Sequence, residues 1–135
     1  MNISADLLGK IHRHLEAGYP HEACGVLLGK GDTVTEIATA ANTRTDSAHN
    51  RYLIDPLAYL KIERAADQRG LQVLGIYHSH PDCPARPSQF DLDHAWPNLS
   101  YLIVSVVEGR AGESNSWQLR EDRSQFDPEA VTVLD

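Results

Sequence analysis

Leu7, Leu8, Ile11 and Leu15 recur at intervals of one, three and four behind Ser4, and Gly18 with Pro20 closes the run. That spacing predicts an amphipathic helix with Ser4 as its N-cap. Cys24 to Leu28 is a short apolar stretch, Lys30-Gly31-Asp32 carries turn chemistry, and Val34 to Ala41 resumes extended character, which together predict a hairpin. A polar loop, Asn42 to Asn50, follows, and Arg51 to Ile54 reads as a short strand. Asp55 and Pro56 open a second helix, with Leu57, Leu60, Ile62, Ala65 and Ala66 as its expected buried face and Gly70 as its end.

Leu71 to Ser79 is almost continuously apolar from Val73 to Tyr77, the pattern of a central strand covered on both faces. Ser88 opens a short helix that Pro97 stops, and Tyr101 to Val107 is the strongest strand by β-branched content. Glu108 to Gly112 turns the chain, Trp117 to Arg120 pairs back, and a polar tail ends in a last strand at Val131 to Leu134. Helices interleaved with strands and hairpins predict an α/β fold, a mixed β-sheet flanked by helices.

At 135 residues the chain is the length of one domain, 1–135, and a domain of that size buries roughly 70% of its unfolded surface. A formal charge of -7 with no Lys/Arg cluster argues against nucleic acid or an anionic membrane as a partner. The first residues lack a charged and apolar leader, and no apolar run reaches the roughly 18 residues of a membrane span, so the expected location is cytoplasmic. Cys24 and Cys83 read as two reduced thiols, with a Cys24–Cys83 bond as the alternative if both flank one pocket.

Chemistry concentrates at the end of the central strand, in His78-Ser79-His80-Pro81. Residues two apart on a strand project from the same face, so the two imidazoles point together. Pro81, Pro84 and Pro87 stiffen the loop that follows, and Asp91 closes the set at the start of the next helix. Two histidines and one carboxylate are a catalytic zinc ligand set, with a fourth position left for water. Ser88-Gln89-Phe90-Asp91 is equally a helix-capping pair, a reading the sequence leaves open. Water activated by a metal still needs a proton carrier, and Glu22, just ahead of the Cys24 strand, is the candidate; alone it reads as a solvated glutamate.

Glu22-Ala-Cys-Gly-Val-Leu-Leu-Gly, then His78-Ser-His-Pro, then Ser88-Gln-Phe-Asp91 resemble the JAMM (MPN-plus) zinc metalloproteases across nearly the whole chain. The resemblance implies a cytidine-deaminase-like mixed sheet between helices. It implies zinc on His78, His80 and Asp91, Glu22 as general acid/base, and Ser88 as donor to the oxyanion of the tetrahedral intermediate. Family members cleave peptide or isopeptide bonds, often beside the C-terminal Gly-Gly of ubiquitin or a ubiquitin-like protein. Only about 55 residues separate Glu22 from His78, too few for the long insertions of ubiquitin-removing members. The chain thus resembles the compact bacterial members that act on sulfur-carrier proteins, with Asn42 to Tyr52 and Pro81 to Pro87 lining a narrow channel for the glycine tail; a homodimer is left open.

His12, His14, His21, His49 and His94 are read as surface residues, Trp96 and Trp117 as packing, and Arg86 as solvated rather than a carboxylate clamp. Competing readings are a zinc-stabilised protein-interaction module of the MPN type and a thiol enzyme using Cys24 or Cys83. A zinc nucleoside deaminase would need His-x-Glu and Pro-Cys-x-x-Cys, and the sequence has neither.

Overall fold

A computed structural model describes residues 1–42 and 53–135. The expected loop at 42–50, residues 51 and 52 of the expected strand, and His49 therefore lie outside the described residues, apart from Asn42 itself. The elements run β1 (Asn2–Ser4), α1 (Ala5–Gly18), β2 (Cys24–Lys30), β3 (Thr33–Ala40), α2 (Pro56–Gln68), β4 (Gln72–Pro81) and α3 (Gln89–His94). They continue with β5 (Ser100–Val107), β6 (Arg110–Leu119), β7 (Phe126–Glu129) and β8 (Thr132–Leu134). All eight strands join one mixed sheet in the order β7-β6-β5-β4-β2-β3-β1-β8, so the α/β expectation holds.

Both faces of the sheet are covered. On one, α1 buries Ile11 and Leu15 against Ile3, Leu27, Val34, Tyr77, Leu102, Val104 and Val106. On the other, Cys24, Val26, Leu28, Ile76 and Tyr101 pack with Ile54, Ala66 and Ala95. Burying one such aliphatic or aromatic side chain is worth roughly 1.5–3 kcal/mol, which is why β4 and β5, buried on both sides, sit at the centre. They run parallel, His78 beside Ile103 and His80 beside Ser105, and β2 pairs antiparallel on the other side of β4 with Cys24 beside His78. The edge strands β7 and β8 are only two residues apart in sequence, so the sheet must curl until its edges approach.

Local signals account for the helix starts. Ser4 Oγ accepts the Leu7 N–H at 3.1 Å, and Asp55 caps α2, with Pro56 in its first turn. The expected turn at 108–112 contracts to Glu108-Gly109, both at positive φ (50° and 82°), a primed turn that lets β6 begin at Arg110. The expected inner face of α2 holds at Ile62 and Ala66 and is corrected at the rest: Leu57 is 68% exposed, Leu60 and Ala65 are exposed, and half-buried Tyr59 joins Ile62 and Ala66 against the sheet. Positions 59, 62 and 66 keep the three-four helical spacing; the other leucines lie off that stripe. Of the Arg51 to Ile54 strand only an isolated bridge, Asn42 with Ile54, is present among the described residues.

Two histidines expected on the surface are half-buried. His14 Nδ1 lies 2.7 Å from the Tyr77 hydroxyl and His12 Nε2 2.8 Å from Ser114 Oγ, because a fully buried tyrosine needs a polar partner and α1 supplies it. Burial lowers the pKa of both imidazoles, with Glu16 partly opposing this at His12. His21 and His94 are exposed, as expected. Trp117 is half-buried and Trp96 is 38% exposed, its ring edge-on to Tyr59 at 4.8 Å.

Gly75 sets where β4 meets β5. A Cβ there would stand 2.2 Å from the Ser100 backbone oxygen, an atom on the partner strand's main chain that cannot swing aside. Gly75→Ala is expected to destabilise by about 3 kcal/mol, the upper end of overpacking costs. Gly112→Ala, where nothing lies within 4 Å of the new Cβ, should stay within about 0.5 kcal/mol of the parent. Urea unfolding midpoints of the two variants check the contrast, and equal midpoints would refute it.

Candidate metal centre

The strand alternation of β4 decides the site. Tyr77 and Ser79 face the α1 side, whereas Ile76, His78 and His80 share the other face, and both imidazoles are buried. Ser79 is not idle: its Oγ accepts the Ala23 N–H at 2.9 Å, and its N–H donates to Ala23 O at 3.0 Å. Those two bonds extend the β2–β4 ladder past Cys24 and carry Glu22 to the imidazoles. Asn42 Nδ2 donates to the Glu22 carbonyl at 3.0 Å and holds it from the other side.

Asp91 arrives on α3. Ser88 Oγ accepts the Asp91 N–H at 3.1 Å while Asp91 Oδ2 accepts the Ser88 N–H at 2.8 Å, so the capping pair is real and it orients the carboxylate. Asp91 Oδ2 stands 3.1 Å from His80 Nε2, and Oδ1 stands 3.6 Å from His78 Nε2. The other ring nitrogens face main-chain oxygens: His80 Nδ1 lies 3.0 Å from Pro84 O and His78 Nδ1 3.3 Å from Ser79 O. An Nδ1–H donated to a carbonyl fixes the tautomer and leaves Nε2 with a lone pair. Both nitrogens then lie beside the Asp91 carboxylate, a donor set that suits a cation.

The spacing suits a small divalent one. Tetrahedral zinc with bonds of about 2.0–2.2 Å holds its ligand atoms about 3.3–3.6 Å apart; Asp91 comes within 3.1 Å of His80 Nε2 through Oδ2 and within 3.6 Å of His78 Nε2 through its other oxygen. Glu22, His78 and His80 also bring ligand-capable atoms within 4.8 Å of one another. Glu22 Oε1 is buried, 3.5 Å from His78 Nδ1, and forms no hydrogen bond among the described residues.

Electrostatics follow from that crowding. Burial pushes the His78 pKa down, but the carboxylates of Asp91 and Glu22 outweigh it and the net direction is up. Burial likewise acts to raise Asp91, yet His78, His80 and the Ser88 N–H hold its carboxyl well below the ordinary range. Cys24 is pushed up to about 12, first by burial and then by Glu22, so it carries no thiolate at neutral pH. Cys24 and Cys83 are both free, one buried and one exposed, and the Cys24 thiol points to Ala40 O at 3.7 Å, so the alternative of a bond between them is not realised.

Glu22, His78, His80, Ser88 and Asp91 lie together. His80, Glu22 and the exposed Ser88 line a cleft of about 310 Å³ with Pro81, Cys83, Pro84 and Arg86. Sequence reasoning missed the buttress behind it: Glu113, Asn115 and Trp117 of β6 all bond the backbone of Ala85, 28 to 32 residues away in sequence. No local signal marks such contacts. The tail channel expected between 42–52 and 81–87 has only its second wall and Asn42 among the described residues.

Known proteins resemble this arrangement. Residues 4–120 match the family described as prokaryotic homologs of the JAB domain. A probable TtuB-protein conjugate cleaving protease of Thermus thermophilus is 38% identical over 78% of this chain and 70% of its own length. A desampylase of Haloferax volcanii is 35% identical over 78% and 80%, and a CysO-cysteine peptidase of Mycobacterium tuberculosis 30% over 87% and 81%. A solution structure from Desulfitobacterium hafniense superimposes with TM-score 0.86 at 28% identity, covering 99% of this chain and 92% of that one. A JAB1/MPN domain protein of Archaeoglobus fulgidus, 21% identical and covering all of both chains, shares the fold with TM-score 0.64. With relatives this similar and a family match over most of its length, the chain belongs to the prokaryotic homologs of the JAB domain.

Proposed function

We propose that the protein is a zinc metallopeptidase that hydrolyses the amide bond after the C-terminal Gly-Gly of a ubiquitin-like or sulfur-carrier protein. The substrate class rests on the relatives, whose names specify cleavage of protein conjugates and of a cysteine adduct. The single observation that carries the catalytic reading is Glu22: a carboxylate buried to 5% exposure, lining the cleft, with one oxygen free of hydrogen bonds among the described residues. Burying a carboxylate oxygen whose approach to His78 Nδ1 is only 3.5 Å costs stability, and a structural module gains nothing from that cost. That observation favours hydrolysis over the zinc-stabilised interaction module.

The nitrogen that each carboxylate faces supports the roles we assign. Asp91 addresses Nε2 of both imidazoles and is the third ligand, whereas Glu22 addresses Nδ1 of His78 and is left to move protons. Zinc, when bound by His78, His80 and Asp91, supplies a Lewis acid that polarises a carbonyl and makes water acidic near neutral pH. Glu22 takes the proton from the attacking water and passes it to the leaving nitrogen as the C–N bond breaks, so the products are a carboxylate and an amine. Ser88 Oγ accepts from Asp91 N–H through one lone pair, and its own O–H remains available to donate to the oxyanion. No helix among the described residues is long and apolar enough to cross a membrane.

Glu22→Gln is expected to keep its zinc, measured by elemental analysis, and to lose at least a hundredfold in kcat on a carrier adduct, the size of a missing acid–base group. An interaction module predicts no change. Ser88→Ala should lower kcat by about a hundredfold through the oxyanion and stability by about 1 kcal/mol through the lost cap; a variant slowed less than threefold would remove Ser88 from the reaction.

Metal affinity is expected to depend on pH with a definite sign. His78 must be neutral to bind metal, and its pKa in the metal-free protein is raised above 6.5, so protons compete through and above that value. Apparent zinc affinity should therefore weaken from pH 8 to pH 6, by up to about tenfold per unit for each proton displaced. Competition with a chromophoric chelator at both pH values measures this. An affinity independent of pH would contradict the ligand role of His78.

A further inference from the structure

The loop from β4 to α3 is irregular in conformation but tied at every residue from Asp82 to Arg86. Asp82 N–H donates to Val106 O at 2.8 Å, Ser105 Oγ to Cys83 O at 2.6 Å, and Arg86 N–H to Pro84 O at 2.8 Å. Pro84 O is also the oxygen that His80 Nδ1 faces. Ala85, fully buried, donates its N–H to Glu113 Oε1 at 3.0 Å and accepts from Asn115 Nδ2 and Trp117 Nε1. The root of Arg86 is thus fixed relative to His80 by covalent and hydrogen-bonded links no longer than a few residues.

Its side chain is exposed, lines the cleft beside Glu22, His80 and Ser88, and forms no ion pair or hydrogen bond among the described residues. In a chain of charge -7 that is a choice, because Glu113 lines the same neighbouring groove as Arg86 yet bonds the Ala85 N–H. Among the described residues that line the cleft, Arg86 is the sole fixed cation. A guanidinium on a rigid root grips a carboxylate through two parallel bonds, at little entropic cost. The cleft, about 310 Å³, has room for an amino acid beside the scissile bond.

We infer that Arg86 is a specificity residue that binds the free carboxylate of the leaving group, so that the preferred substrate is a carrier C-terminus bearing a single amino acid. In a free amino acid leaving group the carboxylate sits one carbon from the scissile nitrogen, whereas a lysine Nζ in an isopeptide has no carboxylate on its adjacent carbon. The inference rests on the hydrolase reading above and names the substrate class of the same cleft.

The test uses the zinc-loaded full chain and a panel of ubiquitin-like sulfur carriers extended after Gly-Gly by one alanine, each as the free acid and as the carboxamide. The parent protein should cleave the acid at least tenfold better in kcat/KM than the amide. Arg86→Ala should erase that preference by raising KM for the acid, leaving kcat and the amide unaffected, with Arg86→Lys intermediate. Equal rates on acid and amide by the parent, or an Arg86→Ala variant slowed equally on both, would overturn the role of Arg86 while hydrolysis stands. Cleavage of neither form of any carrier would bring down the hydrolase reading itself and the inference with it.

Discussion

Two imidazoles and a carboxylate that present lone pairs to one point cannot stay buried together without a cation between them. His78, His80 and Asp91 are in that position, because Pro84 O and Ser79 O face the Nδ1 atoms and leave both Nε2 atoms aimed at Asp91. In the absence of metal a proton plays the part, which is the physical content of a raised His78 and a depressed Asp91. The rest of the structure serves to keep those acceptors facing one another when they would otherwise repel.

Three separate devices do so. The β4 backbone holds the imidazoles through its pairing with β2 and β5, which a strand buried on both faces makes rigid. The capping pair of α3 holds Asp91, and the loop between is tied down by Ser105, Glu113, Asn115 and Trp117 from β5 and β6. Glu22 depends on a fourth, the Ser79–Ala23 bonds with Asn42 behind them. Since Ser79 lies between the two histidines, one short stretch of strand aims its imidazoles to one face and fixes the Glu22 segment from the other.

Much of this was legible in the sequence because its determinants are local. Ser4, Asp55 and Ser88 announce their helices within one turn, and the period-two placement of His78 and His80 follows from any strand assignment. What was not legible depends on tertiary contact. β1 has three residues and forms only because β3 and β8 flank it in parallel, while β7 contains Pro128, tolerated because the strand lies at the sheet's edge. The stripe of α2 was misread since leucines at 57 and 60 outweigh Tyr59 in a hydrophobicity pattern, whereas the sheet surface selects Tyr59, Ile62 and Ala66. His14 is half-buried against Tyr77, 63 residues on, whose hydroxyl its nitrogen partners.

The capping pair shows why the two readings of Ser88-x-x-Asp91 never had to compete. The cap uses one lone pair of the serine hydroxyl and one lone pair of Asp91 Oδ2, so the serine O–H stays available while Oδ2 still faces His80 and Oδ1 faces His78. Those remaining groups are what an oxyanion donor and a metal ligand require. A helix start therefore supplies rigidity and chemistry from the same two side chains. Asp in place of the commoner Glu at the third position is part of this, because its shorter side chain holds the carboxylate within 3.1 and 3.6 Å of the imidazoles while it still reaches the Ser88 N–H. A longer acid would keep the cap but move its oxygens off the point where the two Nε2 atoms meet.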